Sequence, residues 1–153
     1  MDLKNAYGSI LRSRILEATQ RHCPAAFPYV SMLYGNPTPI QWSLHSGRVA
    51  SLDMVRGLLQ GDSLSNILLE WVLHPLLQEL WTFGRSPHSE LGLLALPSFV
   101  DDIEAVVSNG NAIPAFVREA QRLMGNVGAS LQPTKTIVLF PNRAASLDRK
   151  SVV

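Results

Sequence analysis

The chain has 153 residues, a length that suits one domain with a hydrophobic core of ordinary size. Thirteen Lys and Arg against twelve Asp and Glu give a net charge of +1, which excludes a nucleic-acid clamp that acts through bulk positive charge. Hydrophobic residues make up 46% of the chain and charged residues only 16%, and this apolar balance predicts a packing partner for exposed apolar surface.

The cysteine content and the positions of the charges indicate the cellular compartment of the protein. The single cysteine, Cys23, excludes an internal disulfide and argues against a Cys-based zinc site. Charges at Asp2 and Lys4 leave no apolar segment at the N-terminus, so no signal peptide is expected. The longest uncharged stretch without histidine, from Cys23 to Leu44, is interrupted by four prolines and does not predict a membrane span. We therefore expect a soluble, intracellular protein with no membrane partner.

The first part of the chain predicts two helices and a hairpin. Apolar residues recur at helical spacing from Ile10 to Ala18, and this helix is expected to end before Pro24. A second helix is predicted from Ala25 to Leu33. Apolar strands at 40–44 and 49–55 are then expected to pair across a short turn that contains glycine.

The remaining elements complete an α+β prediction. The longest predicted helix runs from Asp62 to about Trp81, and it follows a loop that ends in Gly61. After it come a hairpin with strands 91–100 and 103–107, a helix at 113–127 and a closing strand from Thr136 to Phe140. The order of elements predicts a mixed or antiparallel sheet with helices packed on one face.

Phe99-Val100-Asp101-Asp102 places two adjacent carboxylates where an apolar strand turns back on itself. Aspartate is common in turns, so a solvated pair of acidic residues explains these four residues by themselves. The alternative is a Mg²⁺ site, because carboxylate oxygens are hard ligands and a hairpin tip holds them rigidly. A pair of ions in such a site stabilises the attacking and leaving oxygens of an in-line displacement.

Two other segments gain meaning beside this acidic turn. Asp2 begins the segment Asp-Leu-Lys-Asn-Ala-Tyr that ends at Tyr7, and an isolated Asp near a terminus carries no weight alone. Gln60-Gly61 opens the longest helix, where a residue without a Cβ allows close approach of a nucleotide and helix amides favour anions. An ordinary helix cap preceded by glycine explains the same residues.

Taken in order, these segments resemble the successive palm motifs of reverse transcriptases, most closely those of retrotransposons without long terminal repeats. The similar motifs are Asp-x-x-x-Ala-Tyr at 2–7, Gln-Gly-Asp-x-Leu-Ser at 60–65, Phe-Val-Asp-Asp at 99–102 and Lys-Thr at 135–136. The resemblance covers about residues 1–140. Ser63 stands where the family more often has proline, and no departure removes a carboxylate of the motifs.

The resemblance implies an RNA-directed DNA polymerase, a nucleotidyltransferase whose partners are an RNA template, a DNA primer and dNTPs. In the family pattern Asp2 and Asp101 hold two Mg²⁺ ions, with Mn²⁺ as a substitute, and Asp102 supports them. Tyr7 matches the aromatic residue that selects deoxynucleotides, and Gln60 and Gly61 line the nucleotide and template pocket. Lys135 matches a cation that approaches the triphosphate.

The resemblance also implies a fragment. The chain begins one residue before the first motif Asp, and the fingers and thumb of the family have no counterpart in it. We therefore predict a partial palm domain over residues 1–140, a flexible polar tail at 141–153, and no activity for the chain by itself. The alternative is a catalytically silent retrotransposon remnant, either unstable or retained as a binding or structural module.

Overall fold

The structure is a computed structural model that describes residues 1–139. Within them the chain has the predicted α+β fold, and every strand pair is antiparallel. The chain divides into two compact units. One unit is Tyr7–Leu73, and the other combines Met1–Ala6 with the chain from His74 onward. No helix in residues 1–139 has the length and apolar character needed to cross a membrane.

The Tyr7–Leu73 unit is mainly helical. Its elements are α1 (Ala6–Ser9), α2 (Arg12–His22), α3 (Phe27–Tyr34), β1 (Thr38–Ser43), β2 (Val49–Met54) and the first part of α4 (Ser65–Arg85). As predicted, α2 ends before Pro24, since the residue before a proline disfavours helical backbone. Pro24 then begins a short 3₁₀ turn, Pro24–Ala26, where a residue without an N–H is tolerated.

Strands β1 and β2 form the hairpin predicted from the sequence. Ile40 pairs with Leu52 and Trp42 with Ala50, so these side chains share one face of the ribbon. Gly47 has a φ of 76° in the turn, a backbone conformation in which glycine carries no steric penalty. The apolar residues of this face, Ile40, Trp42 and Leu52, remain exposed.

The second unit contains short strands and one amphipathic helix. Its elements are the end of α4, β3 (Leu93–Ala95), β4 (Ser98–Phe99), β5 (Asp102–Ile103), β6 (Val106–Val107) and α5 (Ile113–Gly125), followed by a 3₁₀ turn at Pro133–Lys135. Strand β3 pairs with β6, and β4 pairs with β5. Gly84 of α4 allows the close approach of β3, because a Cβ at this position would lie 2.7 Å from Leu93 Cδ2.

Each unit has its own buried apolar core. In the Tyr7–Leu73 unit the fully buried side chains include Ile10, Ile15, Val30, Leu68, Leu69 and Leu73. In the other unit they include Leu80, Leu91, Ile103, Leu123 and Met124. The buried positions of α5 recur every three or four residues, as expected for a helix that packs through one face.

The structure differs from the sequence prediction in the sheet and near its C-terminal end. The described strands form three two-stranded sheets rather than one sheet, because a register shift interrupts β3 and the later strands span only two residues each. The longest described helix begins at Ser65, three residues after the predicted Asp62. The predicted closing strand at 136–140 was wrong over its described part, because residues 136–139 contain only an isolated bridge at Ile137. Residue 140 and the predicted polar tail at 141–153 lie outside the described residues.

Candidate functional site

The acidic pair lies in a hairpin, as the sequence predicted. Phe99 of β4 pairs with Asp102 of β5, and Val100 and Asp101 form the two-residue turn between them. Val100 has a φ of 56°, which is a genuine outlier for a β-branched residue. Backbone strain of this kind costs on the order of 1–3 kcal/mol and often occurs in binding and catalytic turns.

Asp2 lies directly beside this hairpin. It forms an antiparallel bridge with Asp102, and the amide of Ile103 donates to the carbonyl of Met1 at 2.8 Å. In this pattern the bridged residues are a pair without mutual hydrogen bonds, the arrangement that brings facing side chains closest. The Asp2 and Asp102 carboxylates therefore extend from the same face, and two like charges in this position repel each other.

Lys135 supplies a positive charge at the same place. Its Nζ lies 3.2 Å from Asp2 Oδ2, with the Asp2 side chain 17% exposed and the Lys135 side chain 69% exposed. Backbone contacts hold the two segments together, since the Gln132 amide donates to the Asp2 carbonyl at 2.8 Å. An ion pair with one well-exposed partner contributes less than about 1 kcal/mol, so its importance is electrostatic balance at Asp2 rather than stability.

The three aspartates have the donor chemistry that Mg²⁺ prefers. Asp2 and Asp102 face each other across a strand pair, and Asp101 lies in the adjoining turn. Among residues 1–139, however, no three His, Cys, Asp or Glu side chains come together as a ready-made metal cluster. Asp102 is exposed, and Asp2 and Asp101 are half-buried.

Gln60 and Gly61 form the exposed tip of a loop in the Tyr7–Leu73 unit. Gly61 has a φ of 91°, and a Cβ at this residue would meet no other atom within 4 Å. The loop comes shortly before α4, as expected, although three residues separate Gly61 from the first helical residue, Ser65. The tip therefore presents glycine backbone to open space.

A buried tyrosine contacts both ends of this loop. The Tyr34 hydroxyl donates to Asp62 Oδ2 at 2.9 Å and accepts from the Leu59 amide at 3.4 Å. Ser65 Oγ lies 3.5 Å from the same hydroxyl and donates to the Leu59 carbonyl at 2.7 Å. Burial is the main reason that the pKa of the Tyr34 phenol is raised. The other Asp62 oxygen accepts from the Leu64 amide at 3.1 Å, so this carboxylate has a structural role.

A buried arginine lies against Tyr34. The Arg12 side chain is 7% exposed, and its guanidinium carbon lies 5.5 Å from the centre of the Tyr34 ring. The guanidinium donates to the carbonyls of Gly57 and Asn36 and to Thr38 Oγ1. Burial lowers the pKa of Arg12 from its usual value. These bonds connect α2 with the start of the loop, with Asn36 and with Thr38, the first residue of β1.

The Tyr7 hydroxyl donates to Asn66 Oδ1 in the first turn of α4. Its backbone carbonyl accepts from the Leu58 amide at 2.6 Å, which attaches the same residue to the loop. Tyr7, Gln60 and Gly61 thus belong to the Tyr7–Leu73 unit, whereas Asp2, Asp101, Asp102 and Lys135 belong to the other unit.

Arg12, Tyr34 and Asn66 were not predicted from the sequence as residues that support the site. Arg12 had a detectable signal, because it shares the helical spacing of Ile15 and Thr19 and so lies on the buried face of α2. Tyr34 and Asn66 had none, since their partners are far away in the sequence. No family model and no curated protein matches this sequence.

Proposed function

We propose that this chain derives from the palm of an RNA-directed DNA polymerase and retains its divalent-metal site, but does not extend a primer by itself. The proposal starts from the resemblance of four motifs to reverse transcriptases. The observation that supports it best is the pairing of Asp2 with Asp102 beside the turn that contains Asp101, because residues 100 positions apart in the motifs become neighbours.

In this proposal each carboxylate has a distinct role. Asp2 and Asp101 would hold two Mg²⁺ ions, and Asp102, which pairs with Asp2, would support them. The bound ions would lower the pKa of the attacking hydroxyl and stabilise the leaving oxygen in an in-line displacement. Lys135 offsets negative charge on the phosphates after it leaves Asp2.

The residues of the loop unit would act on the nucleotide and template. By the family pattern, Gln60 and the open backbone at Gly61 would contact the nucleotide and template, and Tyr7 would exclude a ribose 2′-hydroxyl. Nucleotidyl transfer also requires that a primer end and a dNTP are held in line. Holding two reactants in this geometry lowers the activation barrier by several kcal/mol. In the family the fingers and thumb supply this grip, so we expect the 153 residues alone to give no primer extension.

Titration of Mn²⁺ into the wild type and Asp101→Asn tests the metal site. We expect weak binding by the wild type and at least about 10-fold weaker binding by the variant, because the loss of even an outer partner of a metal ligand costs 10–100-fold. Glu104→Gln is the matched control, since Glu104 is an exposed carboxylate three residues away. Equal Mn²⁺ affinity in all three proteins would remove the metal site from the proposal.

A primer-extension assay on an RNA template tests the proposal that the chain does not extend a primer by itself. No product is expected with Mg²⁺ or Mn²⁺. Extension that disappears in Asp101→Asn would contradict the expected inertness and establish the enzyme. Absent extension together with absent metal binding would instead favour a silent remnant that serves as a binding or structural module.

A further inference from the structure

The loop that carries Gln60 and Gly61 is held at both ends from its buried side, while its tip is left open. At its start the Gly57 amide donates to the Ile10 carbonyl at 2.8 Å, and the Gly57 carbonyl accepts from Arg12. At its end the Asp62 carboxylate accepts from Tyr34. The two tip residues lie between these attachments and are exposed.

We propose that Tyr34 and Arg12 are positioning residues, which set the conformation of the Gln60–Gly61 tip without contacting a ligand. What the tip binds rests on the proposed function, but its positioning follows from contacts within the Tyr7–Leu73 unit alone. Tyr34 is 1% exposed and Arg12 7% exposed, so neither is available to a ligand at the surface.

The Tyr34 hydroxyl has the central role because it serves two segments with one atom. Its proton goes to Asp62, and its lone pair receives the Leu59 amide. Loss of this atom leaves the half-buried Leu59 amide and one oxygen of the half-buried Asp62 without this partner, which is more costly than the loss of an ordinary exposed hydrogen bond. Both sides of the tip therefore lose one shared contact together, while Ser65 Oγ and the Asp62 amide still donate to the Leu59 carbonyl.

Arg12 determines where the Tyr34 ring lies. Its guanidinium is placed over the ring and is fixed by three oxygen acceptors on Gly57, Asn36 and Thr38. A planar guanidinium holds its N–H donors in a rigid fork and can stack on an aromatic ring, whereas a lysine ammonium is a compact charge on a flexible stem. The arginine therefore joins the start of the loop to the tyrosine that holds its end.

Amide hydrogen exchange of the full chain tests the proposal. Tyr34→Phe keeps the ring and removes only the hydroxyl, and we expect roughly 10-fold faster exchange or more at Leu59. Exchange at Leu69 and Leu73, in the core part of α4, is expected to stay at the wild-type rate. Tyr29→Phe is the matched control, because Tyr29 lies on the same helix with an exposed side chain. A uniform change across all amides would assign Tyr34 a purely structural role, and an unchanged Leu59 would overturn the proposal.

A second pair of variants keeps the test decisive if Tyr34→Phe does not fold. Asp62→Asn keeps an oxygen acceptor at one of the two positions that bond Tyr34 and the Leu64 amide and places an amide nitrogen at the other, whereas Asp62→Ala removes both positions. We expect fast Leu59 exchange in the alanine variant and recovery toward the wild-type rate in the asparagine variant. Equal exchange in both variants would contradict the proposed role of this contact.

Binding of a fluorescent RNA–DNA primer–template measures the functional part. We expect Tyr34→Phe to weaken binding roughly 10-fold while Mn²⁺ affinity at the aspartates stays unchanged. Duplex binding equal to that of the wild type, despite faster Leu59 exchange, would overturn the functional role of the tip. If the wild type binds neither Mn²⁺ nor the duplex, the proposed function fails, and the exchange data still decide whether Tyr34 positions the loop.

Discussion

The exposed loop and the acidic turn are supported in opposite ways. The Gln60–Gly61 tip rests on two buried side chains, Tyr34 and Arg12, which bond to both of its ends. The acidic turn rests on strands of two residues, a strained Val100 and one exposed lysine. A side-chain network therefore supports the loop from within, whereas the acidic turn brings like charges together and has one lysine to balance them.

The largest expected effect comes from removing the core beneath the loop. Leu68→Ala should lower the free energy of unfolding by about 2–5 kcal/mol, because Leu68 is 1% exposed in α4. Ile67→Ala is the control, since Ile67 is the preceding residue in the chain and is 42% exposed. Urea denaturation of both variants measures the difference. A change of less than about 0.5 kcal/mol in Leu68→Ala would show that α4 is peripheral.

Substitution of two glycines in the same loop distinguishes backbone strain at a positive φ from steric collision with neighbouring atoms. Gly57→Ala should cost roughly 2–4 kcal/mol, because its φ is 78° and a Cβ would collide with the backbone of Tyr7 and Gly8. Gly61→Ala should cost only about 1–2 kcal/mol, because its φ is also positive but the surrounding space is open. Similar losses in the two variants would contradict the contrast between a fixed loop base and an open tip. Thermal unfolding of both proteins provides the measurement.

Relief of backbone strain in the acidic turn should raise the free energy of unfolding, by less than the glycine and leucine substitutions above lower it. Val100→Gly is expected to raise the free energy of unfolding by about 1 kcal/mol, because the gain at a φ of 56° exceeds the entropy cost of glycine. Val106→Gly is the control, because Val106 is an exposed valine in strand β6, and this substitution should lower the free energy of unfolding. Destabilisation by both substitutions, measured by chemical denaturation, would show that the turn is not strained.

The smallest effect is expected at the ion pair. Lys135→Met should change the free energy of unfolding by less than about 1 kcal/mol, and added salt should reduce the difference. Lys4→Met, at another exposed lysine, provides the baseline. Stability curves recorded at low and high ionic strength make the comparison. A loss of several kcal/mol in Lys135→Met would make this pair as important to stability as the network around Tyr34.

Local signals in the sequence predicted most of the elements. Pro24 ends α2 where expected, and the turn with Gly47 joins β1 to β2. The hairpin around the aspartates was also predicted, because two apolar runs flank a short polar break. The single predicted sheet was wrong, since the pairing of strands depends on register shifts that alternation of apolar residues does not reveal.

The support of the candidate site was much less predictable than its residues. Arg12 and Tyr34 contact partners that lie 24 to 45 residues away, and helical spacing alone does not identify such partners. Charged residues are usually exposed, so an arginine on the buried face of a helix is interpreted as an irregularity of the pattern. The bridge between Asp2 and Asp102 was predictable only through the resemblance to a known family.

The chain positions of the two units have a consequence for the order of folding. Residues 7–73 are continuous, so the loop and its network can form while the rest of the chain is still emerging from the ribosome. The other unit needs its first residues to join partners far along the chain, since the Met1 and Ile103 contact spans 102 residues. Closure of such a long chain segment is slow, because the chain loses conformational entropy before the contacts that offset this loss have formed. The carboxylates of Asp2 and Asp102 are therefore expected to become neighbours late, after the loop is complete.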